Sequence, residues 1–599
     1  MEPARPGVRR PTGPKSAMRL RRGSIERPVD LRLVRNLGVL VVAGLLLVVV
    51  TVARPGPLPA ATLPPAFDGA TAADLAVDLA TNHASRVPGT LEADRAADWF
   101  REKLSLYGLA VQDDVWSEDV PGLGRSRLRN LALVVEGTLD ETIVVVAHRD
   151  NDGLSAGAND NASGTAALVE LARAYATAGT TASSRTPLHT LVFLSTDAGA
   201  YGARGAARFA ATSALAERAV AVVALDGLAG RTRVRLELSG LGRRSPPPAL
   251  VRTAAARVAT ELGAEPVQPG VLAQLVSLGL PFAFGEQAPF LGGGVPSLRI
   301  TTSADGGVPP GTDELQGIDA TRFERLGRAS ESLLAALDTA VEAPSGTAGT
   351  LYLADRGIRG WALQLLLLAA VVPFAGAALD LLSRCRRRRL RLLPAWRALR
   401  RRVGLALGLV VLVAFAALAG ALPREPALPP PPDEPPVDSW PVAAIAIGVV
   451  CAFAVWVRGR TRLGRPESTP ETELAAYAVA YVALVGLAAG VALVSPFGLV
   501  FVLPSLYAWL VLPQLRRAPG WVSDLTFGLG FLGPVLALVV VGEQLDLGPR
   551  APLYVLSLMT TGVVPWASTL LLAVWVAIAA FVGSIVADRY AEPAATSGR

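Results

Sequence analysis

Cysteine is nearly missing: the 599 residues hold two, Cys385 and Cys451, both in or beside apolar runs. The globular part therefore uses neither disulfides nor a thiolate metal site. No internal repeat occurs, and no charged residues mark a pathway through the apolar runs, which argues against a transporter. Asp380 and Asp524 are the acids nearest to apolar spans; both fall near span ends, where interfacial anchoring is expected rather than a proton relay. The formal charge of +7 is not a nucleic-acid footprint, because ten Lys/Arg precede Asn36 and ten Arg lie within 383–402, beside apolar runs. Basic residues so placed orient membrane segments, so lipid is an expected partner and nucleic acid is not.

What is abundant is apolar surface. With 51% hydrophobic residues and a mean hydropathy of +0.41, the chain is too apolar to be wholly soluble and long enough for several domains. Residues 1–35 read as a disordered basic cytoplasmic arm, 36–53 as an uncleaved transmembrane anchor, and 54–66 as a Pro/Ala linker. Residues 67–347 alternate helical and strand-like segments, the size of one large α/β domain. A linker at 348–360 leads to a multi-span region at 361–587, with about seven apolar runs (361–382, 403–422, 441–457, 476–494, 497–512, 521–541 and 554–586) and a tail at 588–599. Arginine falls on alternate loops (384–402, 458–465, 516–517), whereas acidic, proline-rich 423–438 and 543–549 fall on the others. That asymmetry predicts an integral, multi-pass cytoplasmic-membrane protein with its α/β domain extracytoplasmic.

Within that domain, helices are predicted at 72–83, 92–107, 162–177, 247–262 and 319–341. Strands are predicted at 131–135, 142–147, 190–196, 219–225 and 297–301, mostly continuous apolar runs suited to a sheet covered on both faces. The chemistry-bearing stretch is 147–176. A β-branched strand delivers His148 and Asp150 at its C-terminal edge, where open α/β sheets hold ligands. Asp160 stands at a predicted helix start, its carboxylate available for N-cap hydrogen bonds. By themselves a histidine and two carboxylates in a loop are more often a solvated turn than a site.

The residues Ala147-His148-Arg149-Asp150 and Gly157-Ala158-Asn159-Asp160-Asn161-Ala162-Ser163-Gly164 make the pattern specific. They resemble the zinc-dependent aminopeptidase family that includes leucyl aminopeptidases, glutamate carboxypeptidase and vacuolar membrane proteases. Residues 83–108, with Arg86-Val87-Pro88-Gly89-Thr90, are similar to the opening of that family's domain, with His83 packing or capping rather than ligating. The layout of anchor, outer domain and multi-span region also resembles vacuolar membrane proteases and endoplasmic-reticulum metallopeptidases. The resemblance implies a zinc-aminopeptidase-like α/β/α sandwich with a mixed, mainly parallel sheet, joined to an all-α membrane region.

Carried over by residue, the resemblance implies one zinc held by His148, Asp160 and Asp226, with Asp150 orienting His148. Family members use a second zinc and a Glu-Glu pair, whose first member is the general base. Here those positions are Gly199, which loses the base, and Ala200, which loses a ligand. The final family histidine falls at Pro309. No Glu lies between Glu170 and Glu217, Asp197 is the only acid in that interval, and no histidine follows His189. His189 reads as a strand-edge histidine; Glu286 and Gln287 fall in a polar segment before Pro289-Phe290 that lines the old cleft, without an assigned role.

The expectation is a membrane-anchored pseudopeptidase that binds at most one zinc, or none, and engages a peptide or protein ligand in its outer cleft. The alternative is an aminopeptidase working with a single zinc; transport by the C-terminal spans is a third, weaker class. Glutamates at 199 and 200 with a histidine at 309 are expected to raise the zinc stoichiometry.

Overall fold

The computed structural model describes residues 28–60, 63–176, 186–303, 311–340, 344–419 and 469–588. Strands β1 (Val111–Val120), β2 (Gly124–Val135), β3 (Leu139–His148), β4 (His189–Thr196), β5 (Ala219–Asp226), β6 (Arg235–Glu237) and β7 (Ser297–Thr301) form one sheet in the order β1-β2-β4-β3-β5-β7-β6. The central strands β4, β3, β5 and β7 are parallel, while β1, β2 and β6 run antiparallel at the flanks. The sequence shows why the centre is parallel. Residues 143–147 of β3 are Ile-Val-Val-Val-Ala, all buried, and successive side chains enter opposite layers. Ile143, Val145 and Ala147 join one core; Val144 and Val146 join the other.

Helices α1 (Leu31–Thr51), α2 (Gly69–Asn82), α3 (Leu91–Ser105), α4 (Gly164–Ala176), α5 (Arg204–Thr212), α6 (Ala214–Glu217), α7 (Pro248–Leu262), α8 (Val271–Gly279), α9 (Gln287–Gly293) and α10 (Ala320–Asp338) follow in chain order. Those covering the first core include α2, α4, α7 and α10. In α4, Ala166, Ala167 and Ala172 are all buried, small side chains that let a helix lie close on the strands. Its buried Glu170 is satisfied by the Asp68 N–H at 2.8 Å and by Arg173. The five predicted strands and five predicted helices are present with shifted ends. The strand reading did not reach β1, whose alternating polar pattern reflects a partly solvated edge, nor the three-residue β6.

The two expected linkers are in fact docked. The Leu58 N–H donates to Thr253, and Arg257 donates to the Leu58 carbonyl. A hairpin of β8 (Leu351–Leu353) and β9 (Arg356–Ile358) places Tyr352 in the first core, with the Gln274 amide bonded to the Tyr352 backbone. Ala53 bridges Gly357, so the end of α1 and the start of α11 (Gly360–Arg387) leave the domain side by side.

The remaining helices are α12 (Leu393–Leu418), α13 (Pro470–Val494), α14 (Leu499–Val511), α15 (Gly520–Leu529), α16 (Leu532–Gln544), α17 (Ala551–Thr561) and α18 (Trp566–Asp588). Among the described residues, five helical stretches are long and apolar enough to cross a membrane, and a sixth results if α15 and α16, bent by 53°, form one broken span. The anchor begins earlier than expected, at Leu31, because Asp30 caps it through the N–H groups of Arg32 and Leu33. The apolar run at 554–586 breaks between Thr561 and Trp566. The run at 441–457, the loops 423–438 and 458–465 and Pro309 lie outside the described residues.

Candidate metal centre

Two strand ends and a turn meet at one edge of the sheet. β3 ends at His148, β5 ends at Asp226, and the turn before α4 carries Asp160. This turn is not the simple helix start that was expected. The backbone leaves helical geometry at Asp160 (φ −112°, ψ 90°) and Asn161 (φ −138°, ψ 45°), and the peptide between them is cis. Asn161 therefore does the capping: its Oδ1 accepts from Gly164 and Gly227 at 2.9 and 3.0 Å, and its amide donates to the Leu225 carbonyl. The Asp160 carboxylate is left for the cleft.

Two further groups fix that turn. Asp313 accepts the N–H groups of Asn159 (2.9 Å) and Asp160 (2.6 Å). Arg86, wholly buried, donates to the carbonyls of His83, Arg149, Ala156 and Gly157. Burial brings its pKa down to about 10, while the charges of Asp150, Asp313 and Asp160 oppose the fall.

His148 Nε2 lies 3.1 Å from Asp160 Oδ1 and 4.0 Å from Asp226 Oδ1. One ligand atom from each residue falls within 4.8 Å of the others. Burial by itself lowers the His148 pKa, but hydrogen bonds and charges from Asp150 and Asp160 overcome it and raise the value well above 6.5. Burial works against ionised Asp160 as well, yet His148, Arg299 and Arg86 hold it below its ordinary value. Asp226 goes the other way: burial and the Asp160 charge raise it, with Arg299 and His148 opposing. The donor set fits one cation. Asp226 Oδ1 is buried and has no hydrogen-bond partner among the described residues, the condition of a carboxylate oxygen placed for an ion.

Arg299, on β7, donates to Asp226 Oδ2 and reaches Glu237 Oε1 at 3.1 Å. A guanidinium thus stands beside the three ligand residues. The sequence held a signal for it, a single charge in the otherwise uncharged, largely buried strand Ser297–Thr301.

Asp150 stands behind His148 and also does more than was expected of it. His148 Nδ1 contacts the Asp150 backbone carbonyl at 3.1 Å, closer than its carboxylate at 3.6 Å. The Asp150 carboxylate also accepts the N–H groups of Gly199 (2.7 Å) and Ala200 (3.0 Å), pulling their loop onto the site.

Residues 130–328 match the model of peptidase family M28. The α/β domain is an M28-family domain. No curated protein matches the chain. Among solved structures, a glutaminyl cyclase from Porphyromonas gingivalis is 17% identical with a TM-score of 0.36, over 45% of this chain and 98% of that one. BSAP, a zinc aminopeptidase from Bacillus subtilis, is 13% identical with a TM-score of 0.37, over 45% and 94%. An aminopeptidase from Aneurinibacillus is 13% identical with a TM-score of 0.37, over 47% and 98%.

At the M28 domain's Gly199 no empty slot remains. A Cβ there would meet His148 Cβ at 2.2 Å and Glu286 Oε1 at 2.7 Å, so only glycine allows the loop this close. Ala200, next to it, is exposed. Glu286, to which the sequence assigned no role, is wholly buried beside His148, set there by Gly285 at φ +91°. Thr196 donates to its Oε2 at 2.7 Å, and its Oε1 has no partner among the described residues. Burial pushes its pKa up to about 7, with the charge of His148 opposing. Among the described residues Glu286 does not belong to the group that could hold an ion, which is His148, Asp160 and Asp226. His189 is the strand-edge residue expected, its Nδ1 3.0 Å from the Asp338 carbonyl, and His83 caps α2.

Proposed function

We propose that this chain is a membrane-anchored protein whose M28 domain holds at most one zinc ion and acts chiefly by binding a peptide or protein partner in its outer cleft. The observation that carries this reading is the 197–202 loop. Its backbone is drawn onto His148 by the Asp150 carboxylate, and a Cβ at Gly199 would collide with that histidine. The position that aligns with the family's base therefore has neither a carboxylate nor room for one.

His148, Asp160 and Asp226 would hold the zinc, which supplies Lewis acidity and a more acidic bound water. Asp160 is the open side of the site, its side chain 29% exposed against 6% and 5% for His148 and Asp226. Peptide groups would enter there, with Asp160 able to accept a hydrogen bond from an ammonium or amide. Loss of a general base typically costs about 10²–10⁴ in rate, enough to separate binding from efficient turnover.

Membrane anchoring is supported by the apolar helices and by the Ala53–Gly357 bridge, which puts the domain-side ends of α1 and α11 together. With α1 and α11 both crossing, the Arg cluster after Leu382 falls opposite the domain, in keeping with an extracytoplasmic domain. Fusing alkaline phosphatase near Ala348 tests this sidedness; an inactive fusion contradicts it.

A second reading, one-zinc peptide hydrolysis, is favoured by Glu286, whose pKa near 7 suits proton transfer. The test of both is hydrolysis of aminoacyl anilides by the full chain in detergent. Turnover abolished by chelator, by His148→Ala and by Glu286→Gln supports the second reading; its absence supports the first.

A further inference from the structure

The M28 domain meets the apolar helices along a seam built by α8. Val276 packs with Val540, Val541 and Tyr554, and Ala273, Leu280 and Phe282 pack against that cluster. The α8 helix is thus fixed to the end of α16, the second half of the bent apolar pair. Beside this contact lies a cavity of about 490 Å³, within the usual size range for small-molecule sites.

Its walls are chemically divided. From the domain come Arg235, Arg244, Gln268 and Glu237, the last paired with Arg299 at 3.1 Å; from α8 comes Leu272; from α16 come Val540 and Glu543. Arg244 is exposed and held by a 2.9 Å hydrogen bond to Thr347 Oγ1. Gln268 Oε1 is buried without a partner among the described residues. Glu543 is exposed, one residue from the end of α16, and among the described residues forms no ion pair.

We propose that this cavity binds the headgroup of a zwitterionic phospholipid, its phosphate on the Arg235 and Arg244 side and its ammonium on Glu543, with acyl chain along Leu272 and Val540. Charge complementarity selects this occupant. Two guanidiniums suit a phosphate, but Glu543, which lines the same cavity from α16, repels a purely anionic headgroup and attracts one that also carries an ammonium. Position selects it too: the end of an apolar span is the depth at which headgroups lie. The proposal rests on the reading that α16 lies in a bilayer.

The experiment titrates the full chain, delipidated in detergent, with short-chain phosphatidylethanolamine, phosphatidylglycerol, inorganic phosphate and a peptide with a free amino terminus, read by calorimetry. Saturable one-to-one binding of phosphatidylethanolamine, ahead of the other three, is the expected result. Arg235→Gln combined with Arg244→Gln should weaken it ~10-fold or more, as loss of charged hydrogen bonds does. Glu543→Gln should abolish the preference for phosphatidylethanolamine over phosphatidylglycerol. Leu272→Asp, at an exposed site, should remove binding without changing the melting temperature. Equal or tighter binding of phosphate, phosphatidylglycerol or peptide overturns the proposal, as does no binding at all. Carbonate extraction of membranes from the producing cells separates the two levels. Release of the chain contradicts the bilayer reading itself, whereas retention with a failed titration contradicts the cavity assignment alone.

Discussion

Arg299 occupies one oxygen of Asp226. The guanidinium donates to Asp226 Oδ2 and is held in turn by Glu237 at 3.1 Å, so Asp226 offers a metal only Oδ1. A permanent cation so close to a metal ligand opposes a bound ion, although the charge of Glu237 offsets part of that repulsion. Arg299→Gln should therefore tighten zinc binding by roughly 10-fold, measured by chelator competition at pH 8, while lowering the melting temperature because Glu237 loses its partner. Weaker zinc binding in the variant would mean that Arg299 is needed to aim Asp226.

Glu286 gives the domain a particular pH dependence. Its folded-state pKa of about 7 lies above the ordinary 4.5, so the folded chain holds a proton that the unfolded chain releases. Stability should fall as pH rises from about 4.5 to about 7 and level off above, by at most about 3 kcal/mol from this group. His148, also raised, acts in the same sense: its contribution is complete below pH 6.5 and lost as pH passes its folded value. In Glu286→Gln the first part of this slope should vanish, seen as flatter pH dependence of hydrogen exchange in β3 and β5. An unchanged slope would remove Glu286 from the explanation.

Restoring the family carboxylates will not behave as the sequence suggested. Gly199→Glu places a Cβ against His148, so even Gly199→Ala should cost about 1–3 kcal/mol and weaken zinc binding. Ala200→Glu, at an exposed position, should fold with wild-type stability. Thermal unfolding of the two single variants distinguishes a collapsed loop from a merely uncharged one; equal tolerance of both would contradict collapse.

Asp313→Ala removes the charged acceptor of the Asn159 and Asp160 N–H groups. Such bonds are worth about 1.5–3 kcal/mol, and their loss frees the turn that carries Asp160. Zinc affinity should drop, with faster exchange at the Asp160 amide; unchanged affinity would show that Arg86 suffices to hold the turn.

The sheet was legible because its central strands are mostly continuous apolar runs, and His148, Asp160 and Asp226 were legible because a specific pattern surrounds the first two and a strand end carries the third. The parts missed depend on contacts distant in sequence. Arg299 reaches Asp226 from the neighbouring strand β7, 73 residues on, and Glu237 reaches Arg299 from β6. Asp150 could be placed near His148 but not aimed, since the destination of its carboxylate, the backbone of Gly199 and Ala200, is set by how β4 leads into its loop. That residue 199 is glycine was visible; how close its loop lies to His148 and Glu286 was not, because sequence carries identity and not backbone placement. The docking of the two linkers was not legible because composition is silent about partners such as Thr253 and Gln274.

The most direct test is metal content and turnover of the full chain purified in detergent, measured together by elemental analysis and aminoacyl anilide hydrolysis, with His148→Ala alongside. The account predicts no more than one zinc per chain, bound zinc lost in His148→Ala, and no chelator-sensitive hydrolysis above that variant's background. Two zinc ions per chain, or hydrolysis that disappears with chelator and with His148, would contradict it.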